Sequence, residues 1–239
     1  MGHCKGSRQA CIQPAQDNGL KTKTFKSNNN NLLFMPHYYS EEQTSPLRPE
    51  KIKAVLRGKS FEFWSGSGVF SKKKVDNGTI ILVENCIVKD NWKILDLGCG
   101  YGVVGVVIAK IFPKTNVLMA DVNKRALKLA KMNLELNNTE NAEVKYSNLY
   151  SAVKEKFNTI IVNPPMTAGR KLCFRIIEES KEHLEKEGLL QLIAKHRKGG
   201  KMLGEKMLEV FGNMEEKTKR GGYRLYVSKK QEVKNGKYR

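Results

Sequence analysis

The feature that most constrains the fold is a regular alternation, from Lys93 to Phe211, of short apolar runs with segments of helical period. Lys93 to Leu97, Asn116 to Ala120, Glu143 to Tyr146, Phe157 to Val162 and Leu189 to Ala194 read as strands. Between them, Val103 to Phe112, Asn123 to Asn137 and Arg170 to Glu187 read as helices, the last ended by Gly188, and Gly199 to Phe211 follows as another. In the second of these, Ala126, Leu129, Ala130, Asn133, Leu134 and Asn137 share one face. Strands separated by helices cannot pair as hairpins. They pair in parallel through crossovers, and the helices then cover both faces of the sheet. Glu215 to Lys219 and Tyr223 to Ser228 are spaced to form a terminal antiparallel hairpin across Gly221-Gly222. The predicted fold class is therefore α/β: a doubly wound, seven-stranded, mostly parallel sheet with that hairpin at its end.

Upstream of the alternation, Phe61 to Trp64 reads as a short strand and Gly66 to Ser71 as a glycine-rich loop. Gly78-Thr79 leads into an apolar helix, Ile80 to Ile87. Residues 1–34 are rich in Gln, Asn, Lys and Ser and have neither period, so they are expected to be a disordered basic tail. Met35 offers an alternative start of translation. The rival reading of the tail is an RNA-binding arm, since it carries five Lys/Arg against one Asp. The core domain is expected over 35–230, with an N-terminal extension over 35–90, and 231–239 as a second basic tail.

The charge narrows the partners. Forty-three basic and 24 acidic residues give a formal net charge of +19. The excess is clustered at Lys72-Lys73-Lys74, at Lys195 to Lys201 and at Lys217 to Lys230, which points to a polyanion, most simply a nucleic acid. Five cysteines with no C-x-x-C pair fit a reducing, cytoplasmic compartment. His3, Cys4 and Cys11 lack a fourth ligand, so no metal is expected. No apolar stretch approaches the ~20 residues of a membrane span, and no secretory signal is evident.

Two motifs carry chemistry. Asp96-Leu97-Gly98-Cys99-Gly100-Tyr101-Gly102 joins a strand to a helix, with glycines that let backbone approach a ligand. Its spacing departs from the dinucleotide fingerprint, since residue 103 is Val and the acid precedes the glycines. An acid there repels a pyrophosphate and attracts a cation. Asp121 ends the next strand, where a carboxylate can accept hydrogen bonds from ribose hydroxyls. Val122 and Asn123 follow it, and Ser147-Asn148 after the third strand can bond an adenine edge. The second motif, Asn163-Pro164-Pro165-Met166, follows the apolar run Thr159 to Val162. Two prolines stop the strand and fix the loop at the end of the sheet where ligands bind, holding the Asn163 amide as a polar acceptor.

This layout resembles the class I S-adenosylmethionine-dependent methyltransferases, which have a Rossmann-like sheet. More narrowly it resembles the small-domain family that includes 16S ribosomal RNA guanine-N2 methyltransferases, with Met35 to Ser40 and Gly221 to Arg224 similar to an archaeal single-domain branch. The resemblance rests on Gly68 to Ser71, Asp76 to Thr79, Asp96 to Gly102, Asp121 and Asn163 to Met166. It implies S-adenosyl-L-methionine as cofactor, held by Asp96, Gly98, Cys99, Gly100, Gly102, Asp121, Val122, Asn123, Ser147, Asn148, Asn163, Phe70 and Thr79. It implies catalysis by Asn163, Pro164, Pro165 and Met166. The Asn163 side-chain oxygen and the Pro164 carbonyl would accept the two N–H bonds of a target amino group, and Asp at position 163 is expected to accept as well. Phe70 is either a base-holding group or a core anchor. Lys72, Lys73, Lys74, Lys195, His196, Arg197 and Lys198 would meet RNA phosphates.

Three departures from the family stand out: Asn148 where Asp is usual, Met166 where an aromatic is common, and no duplicated amino-terminal domain. The expected reaction is methylation of a guanine amino group in ribosomal RNA, with transfer RNA as the other RNA partner considered. The rivals are an adenine-amino or protein-glutamine methyltransferase of the same fold, and a non-catalytic RNA-binding or ribosome-assembly protein.

Overall fold

The computed structural model describes residues 46–231. Residues 1–34, the Met35 to Ser40 motif, most of the basic tail beginning at 231, and His3, Cys4 and Cys11 lie outside the described residues. The chain forms β1 (Glu50–Leu56), β2 (Lys59–Ser65), α1 (Asn77–Asn85), β3 (Lys93–Leu97) and α2 (Val103–Ile111). It continues through β4 (Asn116–Asp121), α3 (Lys124–Leu136), β5 (Ala142–Tyr146), β6 (Phe157–Val162) and α4 (Arg170–Ser180). It ends with β7 (Leu184–Lys195), α5 (Gly200–Phe211), β8 (Glu215–Arg220) and β9 (Tyr223–Lys229).

Seven strands form one sheet in the order β5-β4-β3-β6-β7-β9-β8. The first five in that order are parallel, while β9 runs antiparallel to β7 and β8 antiparallel to β9. After β3 the chain moves outward to β4 and β5, then returns to lay β6 on the other side of β3. The order reverses there, and the reversal leaves a crevice above the C-terminal ends of β3 and β6.

The strands divide their side chains between two cores. Ile94, Met119, Ile161 and Ile193 pack with α1, α2 and α3, whereas Leu95, Leu97, Leu118, Ile160 and Val162 pack with α4 and α5. A sheet covered on both faces needs apolar residues pointing both ways, which explains the adjacent pair Ile94-Leu95 in β3 and the run Ile160 to Val162 in β6, while the buried Asp96 interrupts the pattern in β3. Each such Leu or Ile contributes about 1.5–3 kcal/mol by leaving water.

The structure departs from the expected elements in two places. The helix expected over Arg170 to Glu187 ends at Ser180, and β7 starts at Leu184, five residues before the expected strand. Leu184 is fully buried and pairs with Phe157, so sheet pairing overrides the helix-forming Glu/Lys/Leu composition. Gly188 lies inside β7 and does not end a helix. A Cβ there would sit 2.9 Å from the Glu185 carbonyl and 3.0 Å from that of Phe157. The second departure is β1, which pairs with β2 in a separate two-stranded sheet. Their turn puts Arg57 at φ 48° and Gly58 at φ 73°. Arg57 tolerates this because its guanidinium donates to the Val83 and Cys86 carbonyls, both at 2.7 Å, and its amide to Glu84 Oε1 at 2.7 Å.

Asn133, on the apolar face of α3, is fully buried. It accepts from the Trp64 amide at 2.6 Å and donates to the Trp64 and Tyr101 carbonyls, tying β2 and the glycine loop to α3. Among the described residues, Cys86, Cys99 and Cys173 are free and buried, and no helix is long and apolar enough to cross a membrane.

Candidate active site

Parallel register builds the site. Leu97 pairs with Ala120 on one side and Val162 on the other. Beyond these partners, Gly98, Asp121 and Asn163 leave the sheet in a row. The glycine loop turns back at once, because the Gly98 and Cys99 amides donate to the Ala120 carbonyl at 2.8 and 3.0 Å. Gly98 and Gly100 have φ of 71° and 57°, and a Cβ on either would meet nothing within 4 Å. Their backbone faces open space, which suits close approach by a bound cofactor. Gly102 has a different duty. Its Cβ would lie 2.5 Å from Met119 Cε and 3.2 Å from Ala130 Cβ, so it lets α2 and α3 close on β4. Cys99 is buried, with its Sγ 3.5 Å from the Gly100 carbonyl.

Two carboxylates support this loop. Asp121 accepts from the Gly100 amide at 2.8 Å through one oxygen and from the Asn123 amide at 2.8 Å through the other. Burial pushes its pKa up, while bonds from Asn123, Gly100 and Val122 pull it back. A carboxylate has about four acceptor positions, so capacity for a further donor remains. Asn123 caps α3 by accepting from Ala126 at 3.0 Å, and donates to the Gly68 carbonyl at 3.0 Å. Asp96 lies behind the loop, 3% exposed, and accepts from the Gly105 amide at 2.9 Å. Burial, reinforced by the charge of Asp121, pushes its pKa up to about 7.

Asn163 is half-buried and donates through Nδ2 to Asp76 Oδ2 at 3.3 Å and to Thr79 Oγ1 at 3.0 Å. Among the described residues, no group donates to its side-chain oxygen. Pro164 is buried, and its carbonyl accepts the Met166 amide at 2.9 Å. The Pro165 carbonyl accepts the Ala168 amide at 2.8 Å. Met166 packs against the turn before α5, where a Cβ on Gly199 would lie 2.6 Å from its Cε. The tetrapeptide therefore abuts the basic turn of Lys195, His196, Arg197 and Lys198.

That turn is less uniform than its sequence. Arg197 and Lys198 are exposed. His196 is tied down, with Nδ1 2.8 Å from Tyr226 Oη and its amide donating to the Gly222 carbonyl at 2.9 Å. The Lys195 ammonium sits 5.2 Å from the centre of the Tyr223 ring. Lys72, Lys73 and Lys74 are exposed in the loop before α1. Phe70 is 41% exposed, which removes its reading as a core anchor. The Ser147 hydroxyl donates to the Leu149 carbonyl and accepts the Ala152 amide, so it serves its own turn, while Asn148 is exposed.

Asp76, a neighbour of Asn163, and Tyr223, which packs at the start of α1, were absent from the expected site residues. Asp76 caps α1, accepting from Thr79 at 3.1 Å, and also meets Asn163. Tyr223 opens β9 opposite Lys195, and a Cβ on Gly78 would lie 2.7 Å from its ring. Its phenol pKa is raised by burial and then by the charge of Asp76. An acidic residue three positions before Thr79, at the N-cap of an apolar helix, was the available signal for Asp76. Nothing local marks Tyr223.

The family described as Methyltransferase small domain matches residues 60–227. An uncharacterized protein of Bacillus subtilis is 38% identical over 197 residues, covering 81% of this chain and 98% of that protein. The ribosomal RNA small subunit methyltransferase C of Buchnera aphidicola is 33% identical over 198 residues, 80% of this chain, and the match spans only 58% of that relative's length. Among solved structures, the T. thermophilus 16S rRNA N2 G1207 methyltransferase in complex with AdoMet and guanosine superposes with a TM-score of 0.67 at 21% identity. That match covers 80% of this chain and 53% of the other, and shows the shared fold.

Proposed function

Because this chain belongs to the methyltransferase small-domain family, whose members transfer the methyl group of S-adenosyl-L-methionine, we propose that it methylates the exocyclic amino group of a guanine in ribosomal RNA. The observation that carries this reading is the side-chain oxygen of Asn163, to which no described residue donates, held beside the open glycine loop. Bound S-adenosylmethionine supplies a methyl group already activated on a sulfonium sulfur. The protein then has to bring a weak nucleophile up to it and stabilise the charge that develops there.

An amino group conjugated with a purine ring has two N–H donors and a delocalised lone pair. In our reading the Asn163 oxygen accepts one N–H and the Pro164 carbonyl accepts the other through its second lone pair. Both acceptors sit on backbone fixed by two prolines, so little reorganisation is needed as positive charge grows on the nitrogen. Gly98 and Gly100 bring backbone against the cofactor, and Asp121 offers acceptors to its ribose. Phe70 and Met166 flank the base after it leaves its stack. Arg197, Lys198 and Lys72 to Lys74 contact phosphates on the rim. The proposed location is cytoplasmic.

The names of the ribosomal RNA relatives and the charge of +19 support RNA over a protein glutamine as substrate. The test is incubation with labelled cofactor and total RNA, followed by digestion and identification of the labelled nucleoside. Label in N2-methylguanosine is expected. Label confined to protein, or carried by methyladenosine, would overturn the reading.

A further inference from the structure

We propose that Asp76 is the positioning residue that decides which end of the Asn163 amide faces the substrate, and so restricts the site to bases bearing an exocyclic amino group. This inference rests on the function proposed above and assigns a specificity role to a side chain 87 positions away in sequence from the one it controls.

The two ends of an asparagine amide have nearly the same shape and opposite chemistry. One is an acceptor and the other a double donor. A site that must accept N–H bonds works only if the oxygen faces the substrate. Asp76 fixes that choice. An ionised carboxylate oxygen can only accept, so the group 3.3 Å from Asp76 Oδ2 must be the NH2 of Asn163. Turning the amide over would set its oxygen against the carboxylate, acceptor on acceptor, and lose that hydrogen bond. The Thr79 hydroxyl at 3.0 Å takes the second N–H, but a hydroxyl donates as readily as it accepts, so Thr79 alone selects neither orientation. With both N–H bonds spent on α1, the oxygen is the only group left to face the crevice. A base presenting a keto oxygen at that point meets another acceptor and is rejected.

Asp76 also caps α1 by accepting from the Thr79 amide at 3.1 Å through the same oxygen. The two roles can be separated by side-chain length. Serine is as good a helix cap as aspartate but too short to reach Asn163. Asparagine can place its oxygen where Oδ2 stands and keep both bonds without the charge. With Asp76→Asn, the methyl-transfer rate on RNA should stay within about threefold of the natural protein, since the acceptor is retained. With Asp76→Ser, kcat should fall by about tenfold or more as the amide is freed to turn. Its melting temperature and cofactor affinity should stay close to those of the natural protein.

A second readout does not depend on activity. The Asn163 side-chain NH2 resonances, identified by their loss in Asn163→Ala, should exchange slowly with solvent in the natural protein and in Asp76→Asn, and rapidly in Asp76→Ser. Full activity in Asp76→Ser would mean that Asp76 only caps the helix. An equal loss in Asp76→Asn and Asp76→Ser would mean that its charge, and not the amide orientation, is what matters. Either result overturns the inference. If the natural protein transfers no methyl to RNA, the proposed function fails by itself, and the exchange measurement still decides the role of Asp76.

Discussion

Leu97 and Val162 are register partners in the parallel pair β3–β6, so Gly98 and Asn163 emerge from the sheet as neighbours at the point where strand order reverses. One pairing thus couples the two motifs, 65 residues apart in sequence. The glycine side offers bare backbone, and the asparagine side offers an oriented acceptor.

Removing that acceptor is the most direct perturbation. Asn163→Ala should lower kcat by roughly 100-fold or more, the usual cost of losing one oriented group at a site of developing charge. Cofactor affinity should change little. Asn163→Asp behaves differently from the expectation that any acceptor serves. Its carboxyl would lie near the 3.3 Å distance at which Nδ2 now meets Asp76 Oδ2, and two carboxylates that close cannot both ionise at ordinary cost. The pair should retain a shared proton well above the usual carboxylate range. The protonated pair keeps an outward acceptor, and the ionised pair repels itself out of position. The activity of Asn163→Asp should therefore fall as pH rises, relative to the natural protein, in a pH–rate profile of kcat. A profile parallel to that of the natural protein would refute this.

Asp96 predicts a second pH dependence. Its folded pKa is raised from an ordinary 3.8 to about 7, chiefly by burial. Between those values the folded chain holds a proton that the unfolded chain has released. The carboxyl therefore lowers stability progressively as pH rises from 3.8 to about 7, and the full cost is present above that window. Asp96→Asn should remove this slope, measurable as the difference between the two proteins' denaturation midpoints across that range. A cationic ligand in front of the loop favours the ionised form, so binding should expel the proton. S-adenosylmethionine affinity should rise with pH up to about 7 by as much as roughly tenfold per unit, the limit for one linked proton. Calorimetry in two buffers of different ionisation enthalpy measures the released proton directly, and equal heats in the two buffers would exclude it.

Much of this arrangement is legible in the sequence, and the illegible parts share a cause. β3, β4 and β6 stand out because burial on both faces demands apolar residues pointing both ways, and Asp96 to Gly102 stands out because its loop needs φ values that favour glycine. β1 does not stand out. Lys51 and Lys53 face water, and its turn is Arg-Gly in place of a local turn signal, stabilised by carbonyls of Val83 in α1 and of Cys86 at its C-cap, which the sequence places 26 and 29 residues away. The end of α4 fails similarly: Leu184 suits helical periodicity until Phe157 is available to pair with it. Asp76 and Tyr223 complete the site through contacts made only after the sheet has assembled. What local chemistry dictates can be read along the chain. What depends on a distant partner cannot.

The glycines of the loop and of the first turn of α2 should separate into two classes when replaced by alanine. A Cβ on Gly105 would lie 2.4 Å from Met119 Cγ, a buried atom near the root of its side chain. Gly105→Ala should therefore cost about 1–3 kcal/mol of folding stability by overpacking. Gly98→Ala meets no neighbour but must hold φ near 71°, a strain of roughly 1–2 kcal/mol for a side chain with a Cβ. The two differ in function. Gly98→Ala should weaken cofactor binding by about tenfold or more, because the methyl enters the open space in front of the loop, a loss of some 1.4 kcal/mol. Met119→Val should restore stability to Gly105→Ala and do nothing for Gly98→Ala. Thermal denaturation and cofactor titration of the four proteins test this.

The rim makes the last prediction, and the structure ranks its basic residues. Arg197 and Lys198 are exposed beside Met166, and Lys72 to Lys74 are exposed in the loop before α1. His196 is spent on Tyr226 and Gly222, and Lys195 covers the Tyr223 ring. Charge reversal at Arg197 and Lys198 together should weaken RNA binding and flatten its dependence on salt. The slope of log affinity against log salt should drop by about one for each phosphate that is no longer neutralised. Cofactor affinity should be unaffected. His196→Gln should leave the salt slope unchanged. Lys110→Glu is the control, since Lys110 lies in the last turn of α2, at the opposite end of the sheet. If Lys110→Glu flattens the slope as much as the rim variants, RNA is held by net charge alone and the rim has no special role. If only the rim variants do so, the phosphate path crosses the mouth of the crevice that holds Asn163.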